Sequence, residues 1–159
     1  MLEYTAIQGV DNMFNETSMY GLHVGNKDEK NRVFIPSFAG AQKSDELVIL
    51  KYRGFYKIIS KATLDEKLKG IEDEIMELVK RGSISQVSAL EQYRDSLILD
   101  VVRSCTVDGQ KRISIGNIYE DSKKVTLMGA RDSLYLMDDE AFTKLNEETR
   151  YDEHVKLGK

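Results

Sequence analysis

The residues of this chain best suited to chemistry are an aspartate and an arginine four positions apart, a pair that occurs twice. Asp28 and Arg32 form the first pair, and Asp108 and Arg112 form the second. An aspartate in a turn accepts backbone N–H bonds, whereas an arginine either pairs with that carboxylate or binds phosphate or guanine. We interpret both aspartates as structural residues. For the arginines, a structural role and a nucleic-acid-binding role both stay open.

Lysines accompany both pairs and make their surroundings locally basic. Lys27 and Lys30 flank the first aspartate, and Lys111 directly precedes the second arginine. Residues 27–32 carry three positive and two negative side chains, and residues 103–112 carry three and one. These groups suit phosphate contacts. The whole chain has a net charge of −4, so we do not expect a general nucleic-acid binder held by bulk attraction.

No catalytic constellation is readable in the sequence. There is no Gly-x-Ser-x-Gly elbow and no glycine-rich phosphate loop ending in lysine. One cysteine, Cys105, and two histidines, His23 and His154, supply no convincing zinc ligand set. We interpret Cys105 as a small buried apolar residue. We therefore expect no enzyme, no metal, no cofactor and no small-molecule substrate.

The elements around the two pairs follow the same order. Each pair leads into a β-prone stretch, a loop, an apolar run, a glycine-containing turn, a further strand and the start of a helix. The apolar runs are residues 47–50 and residues 125–128. This agreement predicts an internal duplication, with repeats at residues 19–64 and 103–148.

A helical segment, residues 61–102, joins the predicted repeats. Its first helix has apolar residues at steps of three and four, which is one face of a helix: Leu64, Leu68, Ile71, Ile75 and Leu78. Thr63 and Glu66 fit a capping box at its start, and Gly82 suits its end. A second helix is expected after Ser83, with Ile98 facing inward and Arg94 outward. We interpret these apolar stripes as core packing.

Two Asp-x-x-x-Arg motifs in matching contexts, with Ile35-Pro36 after the first, resemble the MraZ family of bacterial DNA-binding regulators. Met19-Tyr20-Gly21, Arg53-Gly54-Phe55 and Met128-Gly129 also resemble family segments. The resemblance implies an α+β fold in which two AbrB-like swapped-hairpin halves form a small β-barrel with flanking helices.

The resemblance also implies a function. It is that of a transcriptional regulator that binds double-stranded DNA at tandem direct repeats upstream of division and cell-wall genes, as a ring-shaped homo-oligomer. The expected DNA contacts are Arg32, Lys30, Arg112 and Lys111, with Lys27 as a further phosphate contact. An AbrB-like assembly module or an antitoxin-type protein without DNA binding of its own is the alternative.

The chain departs from the family pattern at several positions. Gly116 stands where proline is usual, Asn31 and Lys111 stand where glycine is common, and the chain has no tryptophan. Residues 1–18 are an extension, either a strand or a mobile arm, and residues 149–159 form an acidic tail. With no membrane-length apolar run and no secretory signal, we expect a cytoplasmic, nucleoid-associated protein.

Overall fold

The computed structural model describes residues 19–156, with side chains to residue 149, so the extension at 1–18 lies outside the described residues. Within this range the chain is a mixed α+β fold with eight strands, three α-helices and one turn of 3-10 helix at Ser37–Ala39. The strands are β1 Met19–Asn26, β2 Arg32–Phe34, β3 Glu46–Tyr52, β4 Phe55–Ser60, β5 Val101–Thr106, β6 Arg112–Ser114, β7 Lys124–Arg131 and β8 Leu134–Met137. The helices are α1 Lys61–Lys80, α2 Ile84–Asp100 and α3 Asp139–Lys156.

Six strands form one antiparallel sheet in the order β1-β7-β8-β4-β3-β5, and β2 pairs with β6 in a separate ribbon. The strand that precedes each Asp-x-x-x-Arg motif pairs with a strand that follows the other motif. Thus β1 pairs with β7 over its full length, and β5 pairs with β3. The two ends of the chain are therefore interleaved within one sheet.

The sheet is not closed into a barrel, so the expectation of a small β-barrel is wrong. β1 and β5 lie at opposite edges of the sheet and do not pair with each other. The strands that would have to bridge them, β2 and β6, have three residues each and pair only with one another. Among the described strands, β1 and β5 are therefore the two edges of this sheet.

The main core lies between the six-stranded sheet and the β2–β6 ribbon. The ribbon contributes Val33 and Ile113, which pair directly and are both buried. The sheet contributes alternating, mostly branched side chains, as strands with one buried face require: Leu47, Ile49, Ile58, Val125, Leu127, Leu134 and Leu136. Full burial of each such side chain contributes roughly 1.5–3 kcal/mol.

Helix α1 covers the outer face of β3 and β4 and extends a second, smaller core. Ser60 caps the helix by accepting a bond from the N–H of Thr63 at 3.0 Å. The capping residue therefore lies three positions before Thr63, where the sequence placed the capping box. Gly82 follows its end with φ of 74°, as expected of a glycine that closes a helix. Leu64 packs against Val48, Leu50 and Ile59 of the sheet.

Helix α2 begins after Ser83, as expected, but its faces differ from the prediction. Ile98, expected inward, is exposed, and Arg94, expected outward, is half-buried. Arg94 donates to Glu72 of α1 at 2.6 Å, and this ion pair between the helices holds the Arg94 side chain against α1. None of the described helices is long and apolar enough to cross a membrane.

Helix α3 begins at Asp139, directly after β8, where the second repeat was expected to end in the start of a helix. The carboxylate of Asp138 accepts the N–H of Ala141 at 2.8 Å, which caps the first turn. The backbone then stays helical to Lys156. The boundary drawn between residues 148 and 149 thus falls inside a helix, because the acidic residues continue its hydrogen bonding.

Candidate functional site

Asp28 organises the turn between β1 and β2. Its Oδ1 accepts the backbone N–H groups of Lys30 and Arg32, both at 2.9 Å. Its Oδ2 accepts Nε–H of Arg32 at 2.8 Å. The N–H of Asp28 donates to the carbonyl of Arg32, and the N–H of Asn31 donates to the carbonyl of Asp28, both at 3.0 Å. One carboxylate therefore fixes both the turn and its arginine.

Asp108 makes the same set of bonds in the turn between β5 and β6. Its Oδ1 accepts the N–H groups of Gln110 at 2.9 Å and Arg112 at 2.8 Å, and its Oδ2 accepts Nε–H of Arg112 at 2.9 Å. The two motifs thus have matching geometry down to individual atoms, although their intervening residues differ.

The residue before each arginine adopts the left-handed conformation. Asn31 has φ of 57° and Lys111 has φ of 63°. Glycine adopts this conformation without steric cost and asparagine at small cost, whereas lysine pays more. Asn31 and Lys111 therefore hold equivalent places in the two turns with the same backbone conformation.

The β2–β6 ribbon brings the two turns side by side. The N–H of Ile35 donates to the carbonyl of Lys111 at 2.8 Å, and the N–H of Ile115 donates to the carbonyl of Asn31 at 2.9 Å. Arg112 also reaches across the ribbon, with Nη1 at 3.6 Å from Oδ2 of Asp28. Two aspartates and two arginines therefore form one charged cluster, which we call the Asp–Arg cluster.

The electrostatics of the Asp–Arg cluster keep both carboxylates ionised. The backbone N–H of Arg32 is the main cause that lowers the pKa of Asp28, and its guanidinium adds to the effect. The backbone N–H of Arg112 likewise lowers the pKa of Asp108. Hydrogen bonds to the charged form of a carboxylate favour that form. At neutral pH each aspartate therefore stays available to hold its arginine.

The arginines differ in exposure. The side chain of Arg32 is 30% exposed, and that of Arg112 is 18% exposed, with its guanidinium carbon 5.9 Å from the centre of the Phe34 ring. Both use Nε for their own aspartate, and Arg32 has no other side-chain hydrogen-bond or ion-pair partner within the described part of the chain. Arg32 is accordingly the more accessible of the two.

The structure separates the three lysines predicted at the site. Lys30 is exposed at the tip of the first turn, and no described residue contacts its ammonium group. Lys27 is buried, and its Nζ donates to the carbonyl of Tyr119 at 2.5 Å. Lys111 donates from Nζ to the carbonyl of Ala41 at 2.6 Å. Of these three lysines, Lys30 is the one whose ammonium group has no hydrogen-bond or ion-pair partner among the described residues, because the other two tie their turns to neighbouring loops.

Sequence reasoning missed the loop that faces the first turn. Residues 120–123 line an open groove of about 510 Å³ together with Lys27, Asp28, Glu29 and Asn31, and its charged lining consists of four carboxylates and two lysines. The sequence analysis also included Arg103 in the positive charge around the second motif. In the structure, Arg103 donates to the carbonyl and the hydroxyl of Ser114, both at 2.9 Å, and so supports β6. No local pattern signals these contacts, since the partners are distant in sequence.

The described residues contain no candidate metal centre. No group of three or more histidine, cysteine, aspartate or glutamate side chains there is arranged to hold a metal ion. Burial raises the pKa of the Cys105 thiol to about 11, so it stays protonated at neutral pH and is a poor nucleophile.

Comparison with known proteins adds no family to this description. No protein-family model matches the chain, and no curated protein matches it. The geometry of the Asp–Arg cluster is therefore the basis for any functional conclusion.

Proposed function

We propose that this protein is a DNA-binding transcriptional regulator of the AbrB and MraZ type, which binds tandem direct repeats as a ring-shaped homo-oligomer. The observation that carries the proposal is the Asp–Arg cluster, in which two turns with matching hydrogen bonds lie side by side. Two neighbouring turns that each present an arginine suit a repetitive polyanion better than they suit a small ligand.

The proposal includes a finer description of the fold as two swapped-hairpin halves. The pairing of β1 with β7 and of β5 with β3 supports it, because each half contributes its first strand to the other. The left-handed backbone at Asn31 and Lys111 supports it as well. Under this description, the β2–β6 ribbon lies where the two halves cross.

Arg32 and Lys30 are the principal DNA contacts in this proposal. Arg32 donates its Nε–H to Asp28, and its terminal amino groups can donate to a phosphate or to the edge of a guanine. Arg112 contributes less, because it is less exposed and lies near a second carboxylate. Lys27 and Lys111 hold the turns in place through carbonyl groups, so we assign them no DNA contact.

Multivalency supplies the affinity that one loop lacks. A site with two or three cations binds DNA weakly at physiological salt. Several copies held in one assembly engage successive repeats at high effective concentration, which raises the overall affinity. Binding should therefore grow with the number of direct repeats in the duplex.

An assembly module without DNA binding is the second candidate function. The observation that favours it is the intramolecular use of predicted DNA contacts: Arg112, Lys27 and Lys111 all bond within the chain. In that case the Asp–Arg cluster only holds the two turns together and binds no DNA.

The test is fluorescence anisotropy of short duplexes with one, two or three direct repeats at two salt concentrations. We expect affinity to rise with repeat number and to fall with salt, and we expect Lys30→Ala and Arg32→Ala to weaken it at least tenfold. Lys69→Ala, which removes an exposed lysine on α1, is the matched control and should bind like the wild type.

Two outcomes would contradict the proposal. Equal, weak binding to every duplex by an intact oligomer favours the assembly module. Loss of folding or of oligomer size in Arg32→Ala, in proportion to the loss of binding, assigns the arginine a structural role. Melting temperature and light scattering of each variant separate these cases.

A further inference from the structure

The outer face of the β2–β6 ribbon combines charged and apolar side chains. Val33 and Ile113 pair with each other and are buried against the core, so their neighbours along each strand face outward. The outward residues are Arg32 and Phe34 on β2 and Arg112 and Ser114 on β6. This face therefore carries both arginines of the Asp–Arg cluster together with one aromatic ring.

Phe34 is the exposed apolar residue of this face. Its side chain is 54% exposed, and the guanidinium carbon of Arg112, its cross-strand partner, lies 5.9 Å from the centre of its ring. An aromatic side chain left in water forgoes the stabilisation that its burial would supply. Single exposed apolar residues are common on protein surfaces, but this one lies two residues after Arg32 on the surface proposed to contact DNA.

Ser114 holds the equivalent place in the second strand of the ribbon. Phe34 and Ser114 each come two positions after the arginine of their motif. Ser114 is half-buried, and its hydroxyl accepts a hydrogen bond from Arg103 at 2.9 Å. The two turns thus match in their hydrogen bonds, whereas the strands after them present an exposed phenyl ring in one case and a small hydroxyl in the other.

The chemistry of the major groove indicates what the phenyl ring can recognise. The groove admits a two-stranded β-ribbon, and within it arginine donates to guanine while an apolar side chain contacts the C5 methyl group of thymine. A phenyl ring has no conventional hydrogen-bond donor or acceptor. The thymine methyl group is therefore the feature of a base edge that suits it.

Resting on the function proposed above, we propose that Phe34 is a specificity-determining residue that contacts a thymine methyl group in the major groove. Alternate residues of a strand are about 6.6 Å apart, which is roughly twice the 3.4 Å spacing along a DNA strand. The thymine should therefore lie within about two base pairs of the position that Arg32 contacts.

The difference between Phe34 and Ser114 also gives the protein a direction on its site. A reader with two identical halves fits a palindromic site, because the two-fold symmetry of the protein matches that of the DNA. A methyl contact made by one half only favours one of the two orientations. Tandem direct repeats all point the same way, so a protein that binds them needs such a preference.

The experiment uses the full chain and pools of duplexes with a randomised centre. The wild type selects its preferred sequences from a pool that contains thymine. Each selected duplex is then also made with uracil, which pairs in the same way and lacks only the methyl group, and fluorescence anisotropy gives the affinity for both forms. The selected sequences should share a thymine, and the uracil form should bind about fourfold more weakly for each contact, as expected for one buried methyl group.

Three variants connect this preference to the ring. Phe34→Ser gives the first strand the residue of the second, and it should bind the thymine and uracil forms equally. Ile84→Ser removes an exposed apolar side chain at the start of α2 and should keep the wild-type preference. Arg32→Ala should weaken both forms by the same factor and so leave their ratio unchanged.

The outcomes separate this inference from the proposed function. A wild type that selects sequences but binds their two forms equally overturns the inference alone, and so does a Phe34→Ser variant that keeps the preference for thymine. A Phe34→Ser variant with a smaller mass in light scattering or a lower melting temperature assigns the ring to assembly or folding instead. A wild type that selects no duplex overturns the proposed function and this inference together.

Discussion

At the scale of single residues, the Asp–Arg cluster gives its two residue types different tasks. Asp28 and Asp108 each use one oxygen for two backbone N–H groups and the other for an arginine Nε–H. The aspartates therefore build the turns, and the arginines are what the turns present. The same bonds lower the pKa of both carboxylates, mainly through the backbone N–H groups of Arg32 and Arg112.

These lowered pKa values predict how stability depends on pH. Below the ordinary aspartate value of 3.8, the unfolded chain binds protons that the folded chain does not bind. Stability should therefore fall as the pH drops from about 4 through the lower folded pKa values, and it should be fully present above that range. Thermal unfolding between pH 2.5 and 6, values chosen to span this window, measures the effect.

The double variant Asp28→Asn with Asp108→Asn tests the cause. It keeps an oxygen acceptor at each turn and removes the titrating groups, so its melting temperature should change less over the acidic range than that of the wild type. Asp73→Asn, on the outer face of α1, is the control and should keep the wild-type slope. Equal slopes in all three proteins would assign the acid sensitivity to other groups.

At the scale of elements, the β3–β4 turn has the most demanding backbone conformation of its hairpin. The β3–β4 hairpin turns at Arg53 and Gly54, which have φ of 50° and 86°. Two consecutive residues with positive φ suit the turns that match the twist of a hairpin, and Asn-Gly is their preferred sequence. Arg53 also lies over the ring of Tyr52, with its guanidinium carbon 5.8 Å from the ring centre.

Arg53→Asn should therefore stabilise the protein. Asparagine adopts the left-handed conformation at less cost than arginine, and we expect a gain of about 0.5–1 kcal/mol. The midpoint of urea unfolding should rise with an unchanged slope. Arg53→Ala is the matched variant, because it also loses the contact with Tyr52 but gains no tolerance for positive φ. An equal rise of the urea midpoint in both variants would show that tolerance for positive φ is not the cause of the stabilisation.

The sequence predicted the elements better than their partners. The spacing of Leu64, Ile71 and Ile75 located α1, and the β-prone residues after each motif located β2 and β6. Strand pairing was beyond reach, because β propensity selects a strand but not its neighbour. The barrel was expected from the family resemblance, and it was wrong because β1 and β5 lie at opposite edges of the sheet.

The candidate site shows the same division between local and distant information. Both turns were predicted from the four-residue spacing of aspartate and arginine, because every bond within a turn is local. The burial of Lys27 depends on the carbonyl of Tyr119, and the direction of Arg94 depends on Glu72. Neither partner is near in sequence, so no local pattern could reveal that these cations are occupied.

At the scale of the whole molecule, interleaved pairing makes the fold indivisible. The first strand depends on β7, and β5 depends on β3, while β2 and β6 have only each other. A cut between α1 and α2 separates every one of these pairs. Each piece would keep hairpins whose apolar faces have lost their cover, and isolated hairpins are marginal in water.

A chain split at the exposed turn containing Gly82 tests this dependence. We expect residues 1–82 and 83–159 each to lack a cooperative thermal transition in far-UV circular dichroism. Mixing them should restore the transition and a complex with the combined mass. An uncut chain with a protease site inserted at Gly82 is the control and should melt close to the wild type. A fragment that melts cooperatively alone would show an autonomous half.

Because the strands are interleaved, β1 is synthesised long before the strand with which it pairs. β1 emerges from the ribosome about a hundred residues before β7, and β7 is its only described partner in the chain. At typical elongation rates, the wait lasts on the order of 5–20 s. During that time the apolar side chains of both faces of β1 are open to solvent and to neighbouring nascent chains. The backbone of β1 therefore has no described strand partner in the chain until β7 has been synthesised.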